Sequence, residues 1–185
     1  IPSDTIRQLA IDATGAWWMQ IPEGISRFDG ANAQTWSVAQ TGLPANVAIR
    51  ALKAALDSSL YVATDNGVAI FSTGAWSVLN TANSGLLSNN VWDVAFGPDG
   101  KVYYATTGSG VVVQDGGNWT SYTTANTGVT NLNNVFSVAV TTEGVLWAIG
   151  GFSSTTSIRL AKLEAGELTA ALAFARLFTT GTVAT

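Results

Sequence analysis

The stretch Gly85 to Tyr122, GLLSNNVWDVAFGPDGKVYYATTGSGVVVQDGGNWTSY, decides the fold of this chain. Its first apolar run, 91–96 (VWDVAF), closes at Gly97-Pro98-Asp99-Gly100, where Pro presets φ and Gly supplies a positive φ. A second run, 102–107, ends at Gly108-Ser109-Gly110, and a third, 111–114, ends at Asp115-Gly116-Gly117. A fourth, 119–123, leads into the linker Ala125-Asn126-Thr127-Gly128. The spacing predicts four short strands joined by tight turns.

The unit recurs at a step of 43 residues. Trp18 steps to Tyr61, Tyr104 and Trp147, and Ile6 to Ile49, Trp92 and Val135. Gly24, Gly67 and Gly110 keep the interval, as do Gly42, Gly85 and Gly128. A period in this range means one supersecondary unit copied along the chain, each copy burying its apolar faces against its neighbours. Repeat one reads IRQLAI, AWWMQI, ISRF and TWSVA, and repeat two IRALKAAL, LYVAT, VAIF and AWSVL. Runs such as AWWMQI and VVV are apolar on consecutive residues, so both faces of each sheet are expected to be covered. Radially packed blades supply that cover. The expected fold is all-β, a β-propeller of four-stranded antiparallel blades, with four repeats bounded at about 1–42, 43–85, 86–128 and 129–181.

Gly85 to Tyr122 resembles the two-component regulator propeller repeat, whose pattern runs roughly G-L-P-S-N-x-V-x-x-I, an acidic turn, G-x-L-W-x-G-T, G-L, F, W-x-x-Y. Gly42-Leu43-Pro44-Ala45-Asn46 is similar to its opening. The likeness covers residues 1 to about 172. It implies propeller blades and, in that family, periplasmic or extracellular sensor regions that often recognise carbohydrates. The fourth repeat departs from the pattern. Phe152 to Ser157 inserts about four residues, Leu168 stands where Trp is expected, and 168–178 has helical composition. Opening at Ile1 rather than Met fits a processed or excised product, and two readings stay open: a window from a longer array, or a small propeller closing alone or with a partner copy.

Composition narrows the function. Hydrophobic residues make up 47% of 185 positions, enough for a sizeable core, while only 11% are charged. A surface carried by Ser, Thr, Asn, Gln and Gly suits an extracellular or periplasmic protein. The net charge of −4, with Lys and Arg scattered singly, argues against nucleic acid. No apolar run approaches the ~20 residues of a membrane span. With no Cys there are no disulfides, and with no His or Cys the usual general base, thiol nucleophile and metal ligands are missing. No cofactor and no enzymatic activity are expected. The Asp-Gly pairs at 29, 99 and 115 lack the spacing of a calcium loop and read as turns.

The first strand of each blade lines the channel of a propeller, so its start is where function is expected. The step from position 7 gives Arg7, Arg50, Asp93 and Phe136. Linker asparagines precede them: Asn46, Asn89, Asn90, Asn133 and Asn134, with Asp4 in repeat one. Two arginines among amides suit an acidic or hydroxylated ligand. The alternative is that the asparagines cap turns and the arginines pair with Asp4, Asp93 or Glu23. Trp18, Tyr61, Tyr104 and Trp147 read as an inter-blade packing layer, and Trp36, Trp76 and Trp119 as outer-strand structural residues. The expected function is recognition of a small polar ligand or protein partner. A structural subunit of a surface assembly, self-associating through its end blades, is the rival.

Overall fold

The computed structural model describes residues 3–129, 131–151, 159–164 and 167–173. Among these residues, sixteen strands form four antiparallel four-stranded sheets, each built from consecutive strands. Blade 1 comprises β1 (Gln8–Ile11), β2 (Trp17–Ile21), β3 (Gly24–Phe28) and β4 (Ala33–Trp36). Blade 2 comprises β5 (Ile49–Ala54), β6 (Leu60–Thr64), β7 (Gly67–Ser72) and β8 (Ala75–Leu79). Blade 3 holds β9 (Val91–Phe96), β10 (Val102–Thr106), β11 (Gly110–Asp115) and β12 (Asn118–Tyr122). Blade 4 holds β13 (Val135–Val140), β14 (Leu146–Gly150), β15 (Arg159–Glu164) and β16 (Glu167–Ala173). The chain is an all-β protein with the blade architecture of a β-propeller.

Three apolar layers bind the four blades in sequence order. Trp18 and Ile25 of blade 1 meet Leu52, Leu60, Val62 and Ala69 of blade 2. Ala63 and Val68 of blade 2 meet Val91, Val94, Tyr104 and Val112 of blade 3. Tyr103, Ala105, Val111 and Val113 of blade 3 meet Val135, Val138, Leu146 and Ala148 of blade 4. This is why consecutive residues of a strand are apolar: odd and even side chains face different neighbouring blades. Inner strands β1, β5, β9 and β13 adjoin one another in that order.

The aromatic register needs one correction. Trp18 and Tyr61 face the following blade, but Tyr104 faces the preceding one, and it is Tyr103 that takes the position of Tyr61. The cause lies in a turn. Thr64 pairs with Gly67 across the two residues Asp65 and Asn66, whereas Thr106 pairs with Gly110 across Thr107, Gly108 and Ser109. That extra turn residue shifts β9 and β10 by one position relative to β5 and β6, and a one-residue slip moves every side chain to the other face.

Two further elements differ from expectation. The run TWSVA does not continue as strand beyond Trp36. Ser37 and Gln40 form a capping box, with the Ser37 N–H donating to Gln40 Oε1 at 2.8 Å, and open a 3-10 turn at Val38–Thr41. Residues 168–173, helical by composition, pair as strand with β15. Cross-strand pairing along a sheet edge outweighs a weak intrinsic preference. The remainder of that helical stretch, the insertion at 152–157 and the end of the fourth repeat lie outside the described residues.

Candidate functional site

The inner strands present one equivalent position per blade near the start of the first strand. Across the first two strands, Leu9, Leu52, Val94 and Val138 oppose Met19, Val62, Tyr104 and Ala148. Two residues earlier stand Arg7, Arg50, Trp92 and Phe136. In three blades this residue is the extra one of a β-bulge: pairing passes from Ile49 to Ala51, from Val91 to Asp93 and from Val135 to Ser137. A bulge bends its strand and re-aims the side chain it carries, and of the three bulged residues Trp92 still packs against the layer between blades 3 and 4.

They meet. The Arg50 guanidinium carbon lies 3.8 Å from the centroid of the Trp92 ring. Trp92 and Phe136 stack edge to face, with centroids 4.8 Å apart and planes at 88°. A cation from blade 2 thus rests on an indole from blade 3, which rests on a phenyl from blade 4. Arg7 occupies the same register in blade 1, where its side chain is exposed and its N–H donates to the Gln20 carbonyl at 2.9 Å. Blade 1 is tied in by Gln8, whose Nε2 donates to the Arg50 carbonyl at 2.8 Å.

Asp93 corrects the sequence register. It stands one residue past the bulge, at 6% exposure, and ties blades together. Lys53 Nζ lies 3.0 Å from one of its oxygens. Ser137 Oγ donates to it at 2.9 Å and the Val138 N–H at 3.2 Å. Blades 2, 3 and 4 share this one carboxylate. Trp92 holds the register of Arg50 and Phe136 instead, and sequence spacing missed it because counting 43 residues placed Trp92 in register with Ile49. Matching the apolar residues Ile49, Val91 and Val135 to one another finds it.

The linker asparagines divide. Asn89 Oδ1 accepts from the Thr81 N–H at 2.8 Å, and Asn133 Oδ1 from the Thr124 N–H at 2.8 Å. Their carbonyls accept from the N–H groups of Gly67 at 2.7 Å and Gly110 at 3.0 Å. Both residues therefore hold the linkers to the turns of the preceding blade. Asn46 is exposed. Beside the cation–aromatic stack, four buried polar atoms find no partner among the described residues: Arg50 Nε, Asn90 Oδ1, Trp92 Nε1 and Thr107 Oγ1. Asn90 and Thr107 adjoin, since the Thr107 N–H donates to the Asn90 carbonyl at 3.0 Å. No ion pair to Arg7 or Arg50 forms among the described residues.

At the β1–β2 turn, between blades 1 and 2, a second polar cluster surrounds Asp12. Trp18 Nε1 donates to it at 3.0 Å, the Thr14 and Ala16 N–H groups at 2.9 and 3.1 Å, and Arg27 lies 3.4 Å away. Burial raises the Asp12 carboxyl, but the hydrogen bonds from Thr14, Trp18 and Ala16 outweigh it and hold the group below the usual aspartate range. A cleft of about 430 Å³ opens here, lined in part by Asp12, Arg27, Asp57, Ser58, Ser72 and Thr73. Asp12 is already saturated with donors, and its evident work is to orient Trp18 in the layer between blades.

No protein-family model and no curated protein matches the chain. Solved structures do. The extracellular domain of a hybrid two-component system protein from B. thetaiotaomicron superposes with a TM-score of 0.70 at 18% identity, over 91% of this chain and 23% of that one. Virginiamycin B lyase from Staphylococcus aureus gives 0.68 at 12% identity, over 91% and 56%. PorZ of Porphyromonas gingivalis, a surface component of the type-IX secretion system, gives 0.67 at 13%, over 87% and 25%. The chain spans about a quarter of the first of these and of PorZ, and at such identities the likeness shows the fold alone.

Proposed function

We propose that the chain is part of a non-enzymatic recognition module, acting outside the cytoplasm, that binds a small polar ligand at the mouth of its channel. The carrying observation is the bulged position of the inner strands. Three blades carry the bulge at the same residue, and those residues touch in series, Arg50 on Trp92 and Trp92 on Phe136, with Trp92 also packing against the layer between blades 3 and 4. Structural neighbours that are sensor or surface domains support an extracytoplasmic reading. The lyase neighbour shows that the fold also carries catalysis elsewhere, but this chain has no His.

Screening the purified chain and its Arg7→Gln/Arg50→Gln variant against an immobilised panel of small carbohydrates tests the reading. The double variant should lose every ligand the parent retains. Its melting temperature should fall by only a few degrees, because losing a cation–π contact costs about 1–2 kcal/mol. A double variant that unfolds, or that keeps all parental ligands, counts against the channel mouth.

One observation favours a second reading, a structural subunit of a surface assembly. Leu9, Ile11 and Trp17 are 52%, 57% and 44% exposed on blade 1. Leu9 and Trp17 hold the register of Leu52 and Leu60, which in blade 2 receive the preceding blade. Light scattering separates the two readings: a discrete monomer fits recognition, whereas an assembly that Ile11→Asp dissolves fits the subunit.

A further inference from the structure

The four equivalent positions at the channel mouth are split by chemistry: blades 1 and 2 supply cations, Arg7 and Arg50, and blades 3 and 4 supply aromatic rings, Trp92 and Phe136. From this division we infer that the ligand is a small carboxylate with an apolar face, its acid group held at Arg50 and its body against Trp92 and Phe136. The inference rests on the reading of the mouth as a binding surface and adds the ligand's charge and shape.

Three features carry it. Arg50 is half-buried with no counter-ion among the described residues, because the carboxylate nearest in sequence register, Asp93, is taken by Lys53. Of the other acids on this face, Asp65 accepts from the Ala48 N–H at 3.0 Å while Glu23 and Asp4 are exposed, and none of them pairs with an arginine among the described residues. A partly desolvated guanidinium without an anion is costly, and a carboxylate removes that cost while gaining charge-assisted hydrogen bonds. Second, the guanidinium carbon is held 3.8 Å from the Trp92 ring centroid, and a guanidinium so restrained suits a planar, two-oxygen acceptor. Third, Trp92 and Phe136 are each only half-buried, so ring surface remains for an apolar body.

Matched probes test the charge and the face separately. Glucuronate and glucose share a ring but differ in the acid, as do benzoate and benzyl alcohol; each is titrated into the purified chain by calorimetry and by ligand-observed NMR. At least one acid should bind on the order of tenfold more tightly than its neutral partner, the preference shrinking as salt is added. Arg50→Gln should erase that preference, Arg50→Lys should keep part of it, and Trp92→Phe should weaken acid and neutral members alike, with melting curves confirming that each variant is folded. Equal binding of acid and neutral partners overturns the carboxylate inference and leaves the channel-mouth reading standing. Binding that survives both Arg50→Gln and Trp92→Phe overturns both. If none of the four probes binds, the carboxylate inference fails, and only a hit on the wider carbohydrate panel keeps the recognition reading.

Discussion

Replacing Trp18 with Ala should destabilise the chain by about 3–5 kcal/mol, the cost of truncating a large buried aromatic. Trp18 is 1% exposed and is the centre of the layer between blades 1 and 2. Its ring stacks on Trp36 at 5.6 Å, tilts against Phe71 at 5.1 Å and meets Trp76 edge-on at 6.5 Å. Truncation empties the middle of this group, and three large rings cannot all collapse into the void. It also strips Asp12 of the indole donor at 3.0 Å, leaving a buried carboxylate short of one partner. Urea unfolding followed by circular dichroism reads the loss. Trp17→Ala is the control, since Trp17 points to the opposite face and is 44% exposed; it should cost about 1 kcal/mol. Equal effects at 17 and 18 would refute the layer assignment.

The second large effect is expected at Gly67. Its φ of 95° lies in the region that side chains avoid, and a Cβ there would stand 2.2 Å from the Leu79 carbonyl oxygen. The positive φ costs about 1–2 kcal/mol and relief of the overlap about 1–3 kcal/mol more. Backbone that moves to relieve the overlap also breaks the 2.7 Å bond from the Gly67 N–H to the Asn89 carbonyl, the tie between blade 2 and the linker to blade 3. Gly67→Ala should therefore cost about 3–5 kcal/mol. Gly15→Ala separates the contributions: its φ is 83°, but nothing lies within 4 Å of the added carbon, so only the conformational part remains. If the two substitutions cost the same, close approach is not why glycine recurs here. Gly24 and Gly110 make the same approach to the Trp36 and Tyr122 carbonyls, each at 2.1 Å, which explains why the residue returns at the opening of the third strand.

The repeat, the strand count, the turns and the propeller class were legible in the amino-acid sequence, because each is set by local chemistry and by the alternation of apolar faces. Pro98 with Gly100, and Asp115 with Gly116, stop strands wherever they fall. Trp18, Tyr61 and Tyr104 also read correctly as inter-blade residues, being aromatic and central in their strands. The candidate site was legible only in part. Arg50 and Phe136 were found by counting; Trp92 was not, and Asp93 stood in its place.

Counting along a chain assumes that every turn has the same length, and the turn after β10 has one residue more than the turn after β6. Tyr103 and Tyr104 are adjacent and identical, so either satisfies the aromatic position, and only the longer turn Thr107-Gly108-Ser109 and the match of Ile49 to Val91 carry a signal of the slip. The slip is decided by packing, which places Val94 rather than Asp93 in the layer between blades 2 and 3. Strand 167–173 makes the same point, for its residues favour helix by composition and are held extended by pairing with β15. What the sequence determined by itself was the period and the chemistry of its turns, since these depend on residues next to one another. Which residue of each inner strand carries the bulge was decided only by the tertiary structure, because a one-residue shift alters no residue type and is fixed by the fit of one blade against the next.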